Sequence, residues 1–425
     1  MKQTLNKLRS NTFVQGGFLF TVSNLLVGLI NYFFNFLAGR ALGPVGYGEI
    51  AAMFSYIVIL NIPIGVISML LIQKIGAAED PESYTIALQK WLKLKLRRWW
   101  FLLVLMLAVT PFVPGLTNLT PIAGYALPLL LLLSFLGAFY NGAIQGLHLF
   151  AWFSVLSILG AIIKLGGALF AIAGIGGLKS VVLLIVLSTV ISFILGVVIF
   201  ERHIRGKVAD VPDKLKRIRD IFKDKQLWYT TGATGILTLL NNIDIIYVKK
   251  MFPAEEAGIF GAWALFAKMI LYAIGPLLTL SFIFFSSKKN EKYHHAVFIG
   301  AFLLFIIGGI AANFFYGMFG RLMIESLFGE KFLSLYPYIE WASLFGIGYV
   351  MMMFMMNYFL AKKSIVSLVP AILFPVYLGA LIFYADQLVE VMYVDTVFTF
   401  ATITIFLLVF FKNRMEYLLH LFKKH

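Results

Sequence analysis

The chain has 425 residues, of which 61% are hydrophobic and 13% charged, with no cysteine and a formal net charge of +15. A soluble domain carries about 45–50% apolar and about 25% charged residues, so this apolar excess requires lipid as a second apolar environment. The missing cysteine excludes disulfides, thiolate metal sites and cysteine nucleophiles.

A helix needs about 20 apolar residues to cross roughly 30 Å of hydrocarbon. Such runs predict an all-α polytopic membrane protein with about 12 transmembrane helices, at 12–38, 46–72, 99–118, 121–146, 150–174, 178–200, 227–248, 257–285, 295–319, 333–360, 364–385 and 394–411. Turn signals separate them: Gly43-Pro44, Pro114-Gly115, Gly174 to Gly177, and Pro253. Lys2, Lys7 and Arg9 precede an apolar run too long for a signal peptide, which is expected to stay as the first span. Between spans two and three, Leu88, Trp91, Leu92, Trp99 and Trp100 alternate with Lys90, Lys93, Lys95, Arg97 and Arg98. That pattern predicts an amphipathic helix on an anionic leaflet. Segment 201–226 carries nine basic and five acidic residues and is expected to link a six-helix lobe at 1–200 to one at 227–425.

An even number of spans puts both termini on one side. The loops of that side hold 27 of the 35 lysines and arginines, the opposite loops six, and two lie within spans. The positive-inside rule then makes the termini cytoplasmic, in the cytoplasmic membrane. Topology accounts for most of the positive charge, so no nucleic-acid partner is expected.

The first span pair of each half aligns at an offset of 210 residues: Asn31 on Asn241, Arg40 on Lys250, Gly48 on Gly258, and Gly65 on Gly275. Asn141 falls near Asn357 at a slightly larger offset. Two repeats of six spans keep one orientation, a transporter architecture with substrate between pseudo-symmetric lobes around a central cavity.

Intramembrane polar groups are the candidate site. On the first span Asn24, Asn31 and Asn35 share one face; on the seventh Thr231, Thr234, Thr238, Asn241 and Asn242 do, with Asp244 at the edge. Lipid cannot satisfy such groups, so the stripes face a watery cavity or bond to neighbouring helices, and both readings stay open. Lys164 and Lys268 lie near the middle of spans five and eight, where a charge costs at least about 2.5–3.5 kcal/mol. An ammonium there suits an anionic cargo or a buried carboxylate partner. Asp244 and Glu340 lie one to two turns inside spans seven and ten. These two, with Arg40 and Lys250 at span ends, are candidates for coupling or gating; Arg40, Lys250, Glu49 and Lys249 also suit interfacial anchoring. His294 and His295 are the only close histidine pair, and no metal or cofactor site is expected. No Walker, zinc-protease or nucleophile-elbow motif occurs, so no enzyme activity is expected.

The run Gly39-Arg40-Ala41-Leu42-Gly43-Pro44-Val45-Gly46-Tyr47-Gly48 resembles the first-loop signature of polysaccharide and O-antigen flippases. These belong to the multidrug/oligosaccharidyl-lipid/polysaccharide exporter superfamily. Asn141 to Gly146, Glu255 to Phe260 and Phe328 to Phe332 are similar to further motifs of that family, in the same order. The resemblance spans essentially the whole chain. It implies two six-helix lobes around a V-shaped cavity and an alternating-access flippase for lipid-linked oligosaccharide. It also implies a polysaccharide polymerase and glycosyltransferases as partners, with the transporter itself a monomer. Two features depart from relatives: Ser281 to Phe285 stands where a proline is common, and two further C-terminal helices of some relatives are missing. A multidrug or cation exporter of the same superfamily is the alternative, and a membrane polysaccharide polymerase or ligase a distant one. Cation export calls for cavity carboxylates, whereas the most central charges are lysines.

Overall fold

A computed structural model describes residues 12–206, 225–287 and 292–422. The expectations for Lys2, Lys7 and Arg9, and for most of the 201–226 linker, fall outside these residues. The chain divides into two compact units, Met1–Lys223 and Asp224–His425. Among the described residues the regular structure is helical throughout.

In the first unit, α1 runs from Thr12 to Leu60 and is kinked at Gly43. Gly43 holds φ 66° and ψ −176°, a conformation that only glycine adopts without strain, and Pro44 follows it with no N–H to give. The first two expected spans thus form one kinked run, and Asn61 separates α2 (Ile62–Gly76) from it. Next come α3 (Pro81–Arg98) and α4 (Phe101–Val109). A 3₁₀ turn at Thr110–Phe112 leads to α5 (Val113–Thr117). Three long helices complete the unit: α6 (Pro121–Gly146), α7 (Phe150–Ile172) and α8 (Leu178–His203). α1 packs on α7, α7 on α8, and α2 on α6. Glu49 of α1 is buried and accepts from the backbone N of Thr120 at 2.8 Å and its hydroxyl at 3.0 Å. A carboxylate there meets the positive end of α6.

The amphipathic helix departs from expectation. Asp80 caps α3 by accepting from Ser83 N at 3.1 Å, and Tyr84 to Gln89 are buried in the unit rather than lying on a leaflet. Tyr84, Ile86 and Leu88 join Ile75, Phe139, Phe200 and Ile204 in one apolar cluster. Gln89 donates to Glu201 at 2.5 Å, Lys93 pairs with Glu201 at 3.6 Å, and His203 lies 3.3 Å from Glu82. The apolar stripe of α3 finds a protein surface over its first turns, and only Lys90–Arg98 keeps an outward face.

In the second unit, α9 (Lys225–Leu240) and α10 (Ile243–Met251) are two pieces of the seventh expected span, separated at Asn241-Asn242. α11 (Ala254–Ser286), α12 (His294–Leu327) and α13 (Ile339–Ala361) follow, the last preceded by a 3₁₀ stretch at Glu330–Tyr338. A short 3₁₀ turn at Ile365–Leu368 leads into α14 (Val369–Tyr384) and then α15 (Leu388–Phe422). α13 is the core: it packs on α11, α12 and α15, and most of its residues are buried. A Cβ on Gly346 would lie 2.5 Å from the carbonyl O of Ala267, so glycine sets the approach of α13 to α11. Trp263 is fully buried, stacks on Phe345 at 5.4 Å, and donates its ring N–H to Tyr338 O at 3.0 Å.

Among the described residues nine helices are long and apolar enough to cross a membrane, or ten if the bent pair Pro81–Arg98 and Phe101–Thr117 is one span. The difference from about twelve lies at the fused α1 and at the broken α9–α10, where continuous helix does not match one predicted span.

Candidate functional site: two intramembrane polar clusters

In the second unit three charges, Asp244, Lys268 and Asp395, come together near the α9–α10 break. The stripe of α9 bonds largely to its own backbone: Thr238 donates to Thr234 O at 2.9 Å, and Asn242 to Thr238 O at 2.9 Å. Asparagine competes for backbone partners in this way, which weakens a helix where two stand together. Just before the break, Leu237 O of α9 accepts from the Tyr349 hydroxyl of α13 at 2.7 Å. Lys268 of α11 donates to Asn242 Oδ1 at 3.3 Å and lies within electrostatic reach of Asp244 and Asp395.

Both carboxylates are about 1% exposed. Asp244 Oδ1 accepts from Ile245 N at 2.8 Å, and Asp395 Oδ1 accepts from the Tyr377 hydroxyl at 2.6 Å. Oδ2 of each has no hydrogen-bond partner among the described residues. A buried charge must be paired or neutralised, and two carboxylates against one ammonium leave one negative charge to be met. The cluster therefore draws on α10, α11, α14 and α15.

Asp395 and Tyr377 were not among the sequence-derived candidates. The signal was there, a carboxylate inside an apolar run, but the twelfth span was expected to start at 394. The helix starts at Leu388, which places Asp395 two turns inside.

In the first unit, the Lys164 ammonium lies over the Phe34 ring at 4.9 Å and the Phe54 ring at 5.3 Å. These contacts come from the two limbs of α1 on either side of the Gly43 kink. Ring faces attract a cation without neutralising it, and no carboxylate pairs with Lys164 among the described residues. Asn31 is half-buried, and its Oδ1 has no hydrogen-bond partner among the described residues. Asn35 donates to Asn31 O at 2.8 Å and accepts from the Tyr47 hydroxyl at 3.3 Å.

The remaining candidates stand apart from these clusters. Asn24 and Thr234 are exposed on their helices, and Asn241 is half-buried at the break. Arg40 is exposed just before the Gly43 kink of α1 and Lys250 at the end of α10, whereas Lys249 is buried. Glu340 is exposed in the first turn of α13, with its Oε1 against Gly317. No group of three or more His, Asp or Glu side chains is placed to hold a metal ion among the described residues.

The fold has solved counterparts. An inward-facing multidrug resistance MATE family transporter of the MOP superfamily aligns at 13% identity with a TM-score of 0.67, covering 92% of this chain and 94% of that one. The lipid II flippase MurJ, in an inward closed conformation, aligns at 12% identity with a TM-score of 0.65, covering 92% and 87%. A MOP superfamily transporter from Pyrococcus furiosus, described as having a binding pocket of reverse polarity, aligns at 13% identity with a TM-score of 0.56, covering 94% and 96%. No curated protein matches the sequence. At these identities the likeness establishes a shared polytopic membrane fold. The sequence itself matches the family of polysaccharide biosynthesis proteins over residues 13–287. That is more than half of its length, so the chain belongs to this family.

Proposed function

We propose that this multi-pass membrane protein is a flippase that moves a lipid-linked oligosaccharide across the cytoplasmic membrane by alternating access, without chemistry on its cargo. Family membership and the transporter fold support the class of activity. The observation that carries the residue-level reading is Lys164, an intramembrane ammonium that meets aromatic faces and no carboxylate among the described residues. A pyrophosphate entering the membrane loses hydration and needs a compensating cation. An ammonium not already matched by a carboxylate supplies one, and a lysine point charge releases its cargo more readily than a bidentate arginine. Asn31, whose side-chain carbonyl oxygen has no hydrogen-bond partner among the described residues, and Asn35 lie one turn apart on α1 beside Phe34, as sugar-hydroxyl partners.

Lys268 has a different part in this reading. It is the internal counter-ion of Asp244 and Asp395, and the charge left over in that cluster is met by one exchangeable proton that couples transport to the proton gradient. Both termini are cytoplasmic, the protein acts as a monomer, and it hands its cargo from glycosyltransferases to a polymerase. The carboxylates of this cluster and the likeness to a multidrug transporter favour cation export as the second reading.

Export of lipid-linked oligosaccharide, with protein abundance controlled, tests the proposal. Lys164→Gln abolishes export and Lys164→Arg keeps part of it. Normal export by Lys164→Gln at normal abundance rejects the anion-contact role. Drug-cation efflux with no effect on oligosaccharide selects the second reading.

A further inference from the structure

A cavity of the first unit lies away from both polar clusters. It measures about 560 Å³ and is walled by α2, α3, α4 and α6. Its floor is apolar, formed by Ile67, Leu71, Leu92, Leu103, Phe135 and Phe139. The wall carries two charges, Lys74 in the last turn of α2 and Lys95 in the last turn of α3. Neither lysine has a carboxylate partner among the described residues, and Lys95 lies 5.7 Å from the Trp91 ring centroid. Lys93, two residues away, turns to Glu201 instead. The chain bends by 61° between α3 and α4 at Trp99-Trp100, which keeps the groove open beside a helix end rich in aromatic rings. Tryptophan at such a position marks headgroup level.

We propose that this groove binds one anionic phospholipid, with an acyl chain along the apolar floor and the phosphate held by Lys74 and Lys95. The charge pattern selects the occupant. An apolar slot with lysines at one end matches an amphiphile with an anionic head, and basic pockets between helices recognise such heads. The volume falls in the range of roughly 300–1,000 Å³ that encloses one small ligand. It therefore suits a single acyl chain better than a long isoprenoid tail. The site rests on the protein's location in a membrane and not on the transport reading, so the two fail separately.

Native mass spectrometry of the full-length protein in mild detergent, titrated with phosphatidylglycerol or phosphatidylcholine of identical chains, tests this. One phosphatidylglycerol binds in preference to phosphatidylcholine. A lysine at the surface of an anionic leaflet contributes about fivefold in affinity. The pair K74Q/K95Q therefore weakens phosphatidylglycerol by roughly 25-fold and leaves phosphatidylcholine within twofold. Ile67 of the floor is partly open to the groove, and Ile67→Trp fills the slot and weakens both lipids. If Ile67→Trp does not fold, K74Q/K95Q alone decides. Unchanged phosphatidylglycerol affinity in K74Q/K95Q overturns the proposal. So does displacement of phosphatidylglycerol by an equimolar polyprenyl phosphate, since the occupant is then the carrier lipid.

Discussion

Lys268→Met removes the ammonium that faces Asp244 and Asp395 and puts in its place an apolar side chain of similar length. Both carboxylates are buried, with one oxygen of each lacking a hydrogen-bond donor among the described residues. Neither gains a new partner from methionine. Breaking a buried charge pair from one side is destabilising by about 3–5 kcal/mol, because the remaining charge stays out of water. For a cooperative unit of roughly 150–250 residues, each kcal/mol moves Tm by about 2–4 °C. Lys268→Met should then lower Tm by roughly 6–20 °C, read by heating the purified protein in detergent and following its size-exclusion peak. Adding Asp395→Asn removes one unmatched negative charge while keeping an acceptor for the Tyr377 hydroxyl. Groups in one network couple by about 0.5–3 kcal/mol, so the double variant should recover part of the loss. A single variant within 2 °C of the parent, or a double variant less stable than Lys268→Met, would refute the counter-ion reasoning.

Further outcomes follow from the sequence and the fold. Asp213→Cys, the sole thiol in this cysteine-free chain, should resist an impermeant maleimide in intact cells and react after lysis; ready labelling in intact cells would reverse the topology. Cysteine at Asn31 or at Asn241 should react with a small thiol reagent from the outer side in at least one transport state. Protection of both under every condition would make the polar stripes packing contacts. Gly346→Ala should lower abundance and raise protease sensitivity, because a Cβ there meets the Ala267 carbonyl at 2.5 Å and overpacking costs about 1–3 kcal/mol. Wild-type protease resistance would mean that α11 and α13 can part without loss.

The elements that reading the sequence recovered are those with strong local causes. Long apolar runs marked the helices, and Gly43-Pro44 marked the kink of α1 because glycine and proline act on their own backbone. Lys268 and Asp244 stood out because charges are rare in such runs. What the sequence hid depends on contacts far apart in the chain. Nothing local tells that the Lys164 ammonium meets rings at positions 34 and 54, or that Tyr349 of α13 reaches Leu237 of α9. The break itself was hidden because Asn241 and Asn242 read equally well as a polar stripe on a continuous helix. Asp395 was missed through a boundary error of six residues, which moved a buried carboxylate to an apparent helix end. The docked half of α3 was missed for a related reason: an amphipathic pattern is silent on whether lipid or protein covers its apolar face.

The elbow between α3 and α4 has a mechanical consequence. The apolar stretch from Phe101 to Thr117 continues past the bend and, at about 1.5 Å per residue, is only roughly 25 Å long. The hydrocarbon layer is about 30 Å thick. A segment this short makes the surrounding bilayer thin, or draws its flanking tryptophans toward the headgroups, at a fraction of a kcal/mol per Å. Where the bilayer thins to meet this segment, the membrane beside this face of the protein is shallower than elsewhere, which shortens the path a polar headgroup has to travel.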